Sequence, residues 1–317
     1  MRCLCCGKVL PSNRSESGWH TSCIRRFFGT KALPEIQLNE ETLLALAARS
    51  VAKGYTVTGV QKKMSLHLTK DDRPRLTLVG YPSGYILKPQ ETDYPHMPEA
   101  EHLTMCMAEA AGISAVPHAL IRENDGIAYI TRRIDRPEPG KDLSWALAME
   151  DFCQLDHKPT EEKYLGSYER SAKIISRYSD RAGLDLTELY LRLVFCFLTG
   201  NSDMHLKNFS LIETRARSGH YQLAPAYDLL PVQLFLTNDP EDTALALNGK
   251  KQHLRRKDFL AFAANAGISA KAAGAMIGRM LGFIPKWQEL CRGSLLPPPM
   301  QDQLLALISS RAQRLAL

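Results

Sequence analysis

The chain of 317 residues contains no apolar run approaching the roughly 18–20 residues a membrane-crossing helix needs, which excludes a helical integral membrane protein. Its start, Met1-Arg-Cys-Leu-Cys-Cys6, does not read as a secretory signal, and none is expected. Internal repeats and low-complexity tracts are lacking too, so solenoid and disordered classes fall away. Strong charge of one sign is absent. The net +6 suits anionic ligands or contact with nucleic acid but, over this length, demands neither. The eight cysteines do not read as a disulfide framework in so long a chain, and a cytoplasmic location is expected. What remains, 44% hydrophobic and 23% charged, is ordinary for a globular protein of about two domains or lobes.

Cys106, Cys153, Cys196 and Cys291 each sit singly in apolar helical patterns and read as core. The other four cysteines cluster at the start. Cys3-x2-Cys6 and His20-x2-Cys23, separated by 13 residues, form a Cys3His set fit for a small structural zinc knuckle, with Cys5 as a spare. A reduced, metal-free segment packing the same way is the alternative. A zinc knuckle could bind nucleic acid, but the aromatic interleaving that would support this is scarce there, and Arg25-Arg-Phe-Phe28 reads as the end of an amphipathic helix before Gly29.

Leu38–Lys53 carries a helical pattern. Met64, Leu66 and Leu68 alternate with polar residues as in a half-buried strand, and Arg75–Val79 is a second strand. The turn before them, Thr58-Gly-Val-Gln-Lys-Lys63, could bring backbone amides and two lysines to phosphates. With one glycine it falls far short of a G-x-G-x-x-G, and an ordinary hairpin accounts for it as well. Thr56 and Thr58 would offer hydroxyls for phosphorylation there. Tyr85–Lys88 is a third strand ending in a lysine. The following helix, with Pro98 at its start and Leu103, Cys106, Met107 and Ala110 in step, places Glu101 in its first turn. Such a strand lysine pairs nucleotide phosphates and a helix glutamate in kinases. Ala119–Glu123 and Ile127–Thr131 complete a small sheet, and after residues 135–143 the pattern turns mostly helical.

In that second half, helices are expected from Glu150, over Tyr168–Tyr178, over Leu184–Leu198, over Lys257–Ala266 and Ala270–Leu281, and from Gln301 after three prolines. The buried Leu184–Leu198 run empties into the polar stretch Gly200-Asn-Ser-Asp-Met-His-Leu-Lys-Asn-Phe-Ser210. Asp203 and Asn208 have the spacing of a kinase catalytic loop, in which the aspartate accepts the substrate hydroxyl proton and the asparagine binds Mg2+. A hairpin (Phe209–Glu213, Tyr221–Ala224) follows, then Tyr227-Asp228, where a second metal-binding aspartate would stand. The basic run Lys250-Lys251 and Arg255-Arg256-Lys257 reads as a solvated face or a seat for an anionic partner.

In this order the segments Thr56–Lys63, Ile86–Lys88, Glu99-x-Glu101-His102, Arg133-Ile-Asp-Arg136, Glu150-Asp-x-Cys-Gln154, Gly200–Ser210 and Ala224-Pro-Ala-Tyr-Asp-Leu229 resemble the HipA family of bacterial serine/threonine protein kinases, the toxins of toxin–antitoxin modules. The resemblance covers nearly the whole chain. It implies an α+β, two-lobed protein-kinase-like fold. A Cys-rich segment (1–30) would precede a small β-rich nucleotide-binding lobe (31–138) and a mostly helical lobe with the catalytic loop (139–317). It implies Asp203 as base; Asn208 and Asp228 as Mg2+ ligands; Lys88, His205 and Lys207 near the ATP phosphates; and Arg132-Arg133-Ile134 as the hinge beside adenine. Thr58, Gly59, Val60, Gln61, Lys62 and Lys63 would form the phosphate cover, and Thr56 and Thr58 the autophosphorylated positions. The chain is similar to the short form, without the extra N-terminal subdomain of longer members. A small antitoxin protein resembling that subdomain and a helix-turn-helix protein are then the expected partners, with DNA met only through that complex. An aminoacyl-tRNA synthetase is the first expected substrate. A small-molecule kinase on the same scaffold is one alternative. A catalytically silent protein holding nucleic acid or a partner is the other.

Overall fold

Period-two alternation builds the first part of the molecule and wide apolar helical faces build the second. The computed structural model describes residues 1–11, 17–37, 63–69, 74–77, 84–123, 126–136 and 146–316. Two compact units result: Met1–His102 with Pro117–Trp145, and Leu103–Val116 with Ala146–Leu317. The expected helix over 38–53, the lobe boundary near 139, and Thr56, Thr58, Gly59, Val60, Gln61 and Lys62 lie outside the described residues.

The first unit holds helix α1 (Thr21–Phe28), strands β1 (Glu35–Gln37), β2 (Met64–Leu68), β3 (Arg75–Thr77) and β4 (Tyr85–Lys88), the opening of α2 (Met97–Ala110), and strands β5 (His118–Glu123) and β6 (Gly126–Arg132). Among the described residues the strands form one sheet in the order β1-β3-β2-β4-β6-β5. Only the β1–β3 pairing is parallel. In β2, Met64 and Leu66 point inward and Ser65 outward, the alternation a one-sided sheet requires. Strand β4 lies between β2 and β6, with Lys88 opposite Tyr129. On it, Tyr85 packs against Phe27 and Phe28 of α1, and its hydroxyl donates to the Phe27 carbonyl at 3.2 Å.

The second unit contains the rest of α2, strand β7 (Met149–Asp151), α3 (Tyr168–Tyr178), α4 (Ala182–Thr199), strands β8 (Ser210–Glu213) and β9 (Tyr221–Leu223), and helices α5 (Arg256–Asn265), α6 (Ala270–Gly282), α7 (Ile284–Arg292) and α8 (Pro298–Ala316). Helix α4 is buried at every position from Leu189 to Thr199, so it is enclosed all round rather than striped, with Arg192 as the one charge in that stretch, paired to Glu188. Trp287 meets Phe195 edge-on at 5.4 Å, and Phe259 meets Phe197 at 5.2 Å. Asp242 is buried beneath α8 and takes hydrogen bonds from Arg311 and Arg314.

Three local expectations change. Glu150 and Asp151 form a strand paired with β8, and the helix there is a single turn, Phe152–Leu155. Asp151 is its cap: its carboxylate accepts from the Gln154 amide while the Gln154 side chain accepts from the Asp151 amide, which holds Asp151 extended. Helix α8 starts at Pro298, because proline in a first turn forfeits no intrahelical bond. Helix α7, separated from α6 by Phe283 alone, was not foreseen. The basic run keeps a solvated face, with Lys250, Arg255 and Lys257 exposed, while Lys250 pairs with Asp258 at 2.8 Å, Lys251 with Glu241 at 3.5 Å, and Arg256 donates to the Leu315 carbonyl. Among the described residues no helix is long and apolar enough to cross a membrane.

Candidate active site

The loop between α4 and β8 is rigid for reasons visible residue by residue. Gly200 ends α4 in the left-handed region, at φ 71°, and a Cβ there would run into the Leu307 side chain. The amides of Gly200 and Asn201 turn back to the carbonyls of Phe197 and Cys196. Beyond them Ser202 donates to Asp239 at 2.7 Å, the Tyr168 hydroxyl to the Met204 carbonyl at 3.0 Å, and the Leu206 amide to the Lys163 carbonyl at 3.1 Å. The Asn208 side-chain amide donates to the Asp203 carbonyl at 2.9 Å, closing the loop on itself and joining the two residues picked out by their spacing.

The Asp203 carboxylate is half-buried and accepts a 2.7 Å hydrogen bond from the Tyr164 hydroxyl. Burial, foremost, lifts its pKa above the ordinary aspartate range. Tyr164 pulls the other way, and the charge of Asp228 adds to the rise. Asp228 therefore lies within electrostatic reach of Asp203. It is held in the left-handed region at φ 61°, which costs a non-glycine residue on the order of 1 kcal/mol. Its neighbours enforce that backbone. Ala226 bridges residues 114–116, its amide donating to Ser114 at 2.6 Å and its carbonyl accepting from Val116 at 2.9 Å. The Tyr227 hydroxyl donates to the Lys207 carbonyl at 3.1 Å and lies 2.6 Å from Ser210 Oγ. Strain maintained this way clusters at functional positions.

His205 is buried, with the Tyr164 ring edge-on to it at 5.0 Å. Burial and the charge of Lys163 lower its pKa to about 4, so it is neutral near pH 7. Lys207 pairs with Asp151 at 2.7 Å.

In the first unit, Lys88 Nζ lies 2.6 Å from Glu101 Oε1, both side chains buried, and 5.4 Å from the centre of the Tyr129 ring. Lys63 is exposed just before β2. Arg132 ends β6, and Arg133 sends its amide to the Gly84 carbonyl and its guanidinium to Asp135, at 2.9 and 2.6 Å. Ile134 follows, partly buried. The donor atoms of Cys3, Cys6, His20 and Cys23 all lie within 4.8 Å of one another. Tyr164 and Asp239 escaped the sequence reading, and nothing local could have shown them. Each contacts the loop from about 40 positions away.

Residues 55–287 match the family model described as the HipA-like C-terminal domain. A Haemophilus influenzae protein named "putative kinase" is 25% identical over 338 positions, covering 98% of this chain and 95% of its own length. Y4dM of Sinorhizobium fredii, also named "putative kinase", is 34% identical over 71% of this chain, which spans 56% of that protein. Among solved structures, a chain of the Shewanella oneidensis MR-1 toxin–antitoxin complex of HipA, HipB and operator DNA superposes with a TM-score of 0.69 at 20% identity, over 82% of this chain and 65% of that one. The Helicobacter pylori proinflammatory kinase CtkA gives 0.53 at 14%, over 80% and 94%. At these identities the likeness is one of fold, and that fold is α+β and kinase-like, with a β-rich part and a helical part.

Proposed function

Because the chain belongs to the HipA-like C-terminal domain family, we propose that it is an ATP-dependent protein kinase that phosphorylates a serine or threonine hydroxyl of another protein and serves as the toxin of a toxin–antitoxin module in the cytoplasm. The observation that carries this reading is the self-closed loop from Asp203 to Asn208 with Asp228 held in strained backbone within its electrostatic reach.

Asp203 is the base. Tyr164 fixes its carboxylate, and burial raises its proton affinity toward a working pH, so it can orient a hydroxyl and take its proton. Lys88, held by Glu101, binds ATP phosphates. The backbone of Arg132, Arg133 and Ile134 faces adenine, Thr58–Lys63 covers the phosphates, and Thr56 and Thr58 are the positions of self-phosphorylation. Asn208 and Asp228 suit a hard cation. The amide nitrogen of Asn208 is committed to the loop, which turns its oxygen the other way, and the repulsion between Asp203 and Asp228 is what a cation relieves. Asn208 and Asp228 would hold Mg2+, which would supply positive charge to offset the charge that develops on the phosphates in transfer. A small antitoxin protein and a helix-turn-helix protein that carries DNA contact are the proposed partners, and an aminoacyl-tRNA synthetase the proposed substrate. The HipA-containing complex with HipB and operator DNA is the precedent of fold.

The test is mass spectrometry after incubation with Mg2+-ATP, on the chain alone and with cell extract, beside Asp203→Ala. Phosphate on the Thr56–Thr58 peptide or on an extract protein is expected, falling by a factor on the order of 10²–10⁴ in rate in the variant. No phosphoprotein in either preparation would refute the reading.

A further inference from the structure

Cys3, Cys6, His20 and Cys23 take no part in the site above, yet the fold draws them together. We propose that the described segments 1–11 and 17–29 carry a structural zinc site, with Zn2+ held by these four side chains, that clamps α1 onto β4, the strand ending in Lys88.

Three observations carry the assignment. The first is convergence. The four donor atoms lie within 4.8 Å of one another, with Cys6 Sγ 3.4 Å and Cys23 Sγ 4.0 Å from His20 Nδ1. A tetrahedral zinc with bonds of about 2.0–2.3 Å sets its ligand atoms roughly 3.5–3.8 Å apart. The second is the histidine tautomer. His20 Nε2 lies 3.1 Å from the Val9 carbonyl, which can only accept, so Nε2 carries the proton and Nδ1 turns its lone pair to the sulfurs. Metal-bound histidines are oriented in this way by a second hydrogen bond. The third is the backbone. Arg2 and Val9 pair across a turn, the Cys3 amide bonds to the Lys8 carbonyl at 2.8 Å, and Gly7 sits at φ 67°. Cys3 and Cys6 therefore occupy one tight knuckle, and the His20 amide points at Cys3 Sγ at 3.5 Å. His20 stands at the N-cap position of α1 with its side chain left for the sulfurs and Val9, and Cys23 lies in the first turn, so this helix end delivers the second pair.

Cys5 is not a ligand in this arrangement. It is not among the four mutually converging donors, although its thiol lies beside Cys23 as well as Arg26.

A segment this short buries too little to fold by itself, the circumstance in which small domains recruit a metal. It is nonetheless fastened to the sheet. The Leu4 carbonyl accepts from the Leu120 amide of β5 at 2.8 Å, and Trp19, Phe27 and Phe28 form one aromatic cluster that Tyr85 joins. Metal at the knuckle thus fixes the cluster on which β4 rests.

The test uses the full chain, purified reduced and without metal-affinity chromatography. Elemental analysis should find about one zinc per chain in the wild type and in Cys5→Ser, and none in Cys6→Ser or Cys23→Ser. Exchange of Co2+ into the wild type should give thiolate charge-transfer absorption, a readout that stands even if the ligand variants fail to fold. Chelation should lower Tm. A wild type with neither zinc nor the Co2+ absorption would overturn the proposal, as would loss of metal from Cys5→Ser. No readout involves ATP, so this outcome and that of the kinase reading are separable.

Discussion

Replacing Glu101 by glutamine changes almost no volume and removes one charge, which isolates what the ion pair with Lys88 contributes. At 2.6 Å, and with side chains only 8% and 1% exposed, the pair attracts by about 6 kcal/mol at an effective dielectric of about 20. Desolvating the two ions costs several kcal/mol each, so the intact pair is near balance, while a buried ammonium that loses this carboxylate is not. Glu101→Gln should therefore destabilise the sheet around β4 by about 3–5 kcal/mol. Hydrogen-exchange protection of the β4 and β6 amides measures this locally, without treating the whole chain as one cooperative unit. The double variant Lys88→Met, Glu101→Met should recover most of the lost protection, because two apolar side chains replace two buried charges. It should not recover ATP binding. Equal protection in Glu101→Gln and the wild type, or a double variant as damaged as the two single changes added together, would refute the reasoning.

Two further changes test the second unit. Tyr164→Phe removes the hydrogen bond that works against burial at Asp203, so the acid limb of the pH–rate profile should move to higher pH; an unmoved limb would exclude Asp203 as the group titrating there. Asp242→Asn removes the carboxylate that buried Arg311 and its neighbour Arg314 share and should cost about 3–5 kcal/mol in urea unfolding. Burial acts to raise the Asp242 pKa, but Arg314 and Arg311 outweigh it and hold the carboxyl low. The stability it confers is therefore present above the ordinary aspartate pKa of about 4 and lost as pH falls through the lower folded value. The variant should show a flatter acid limb of stability, and an unchanged one would refute the account.

Much of the architecture was legible because local pattern and tertiary demand agree. Met64–Leu68 alternates and is a strand; Tyr168–Tyr178 is striped and is a helix with the bounds its pattern predicts. The Asp203–Asn208 spacing was visible because one loop must carry both residues. Strand β7 was hidden by the capping chemistry of Asp151, which reads as a helix start in sequence and is one, but only for a single turn. Tyr164 on Asp203 and the clamps on Ala226 and Tyr227 are contacts made by folding, so no local spacing announces them. The positive φ of Asp228 is likewise imposed from outside, since aspartate tolerates that conformation without requiring it.

That backbone at Asp228 bears on how an inactive form of this protein should be made. Alanine would delete the carboxylate and also place a poor left-handed residue between clamped neighbours, mixing lost chemistry with a distorted segment. Asparagine accepts the same φ and keeps the shape while neutralising the charge. With Asp228 in the cation-holding role proposed above, Asp228→Asn is accordingly the cleaner dead form for trapping a bound substrate or partner.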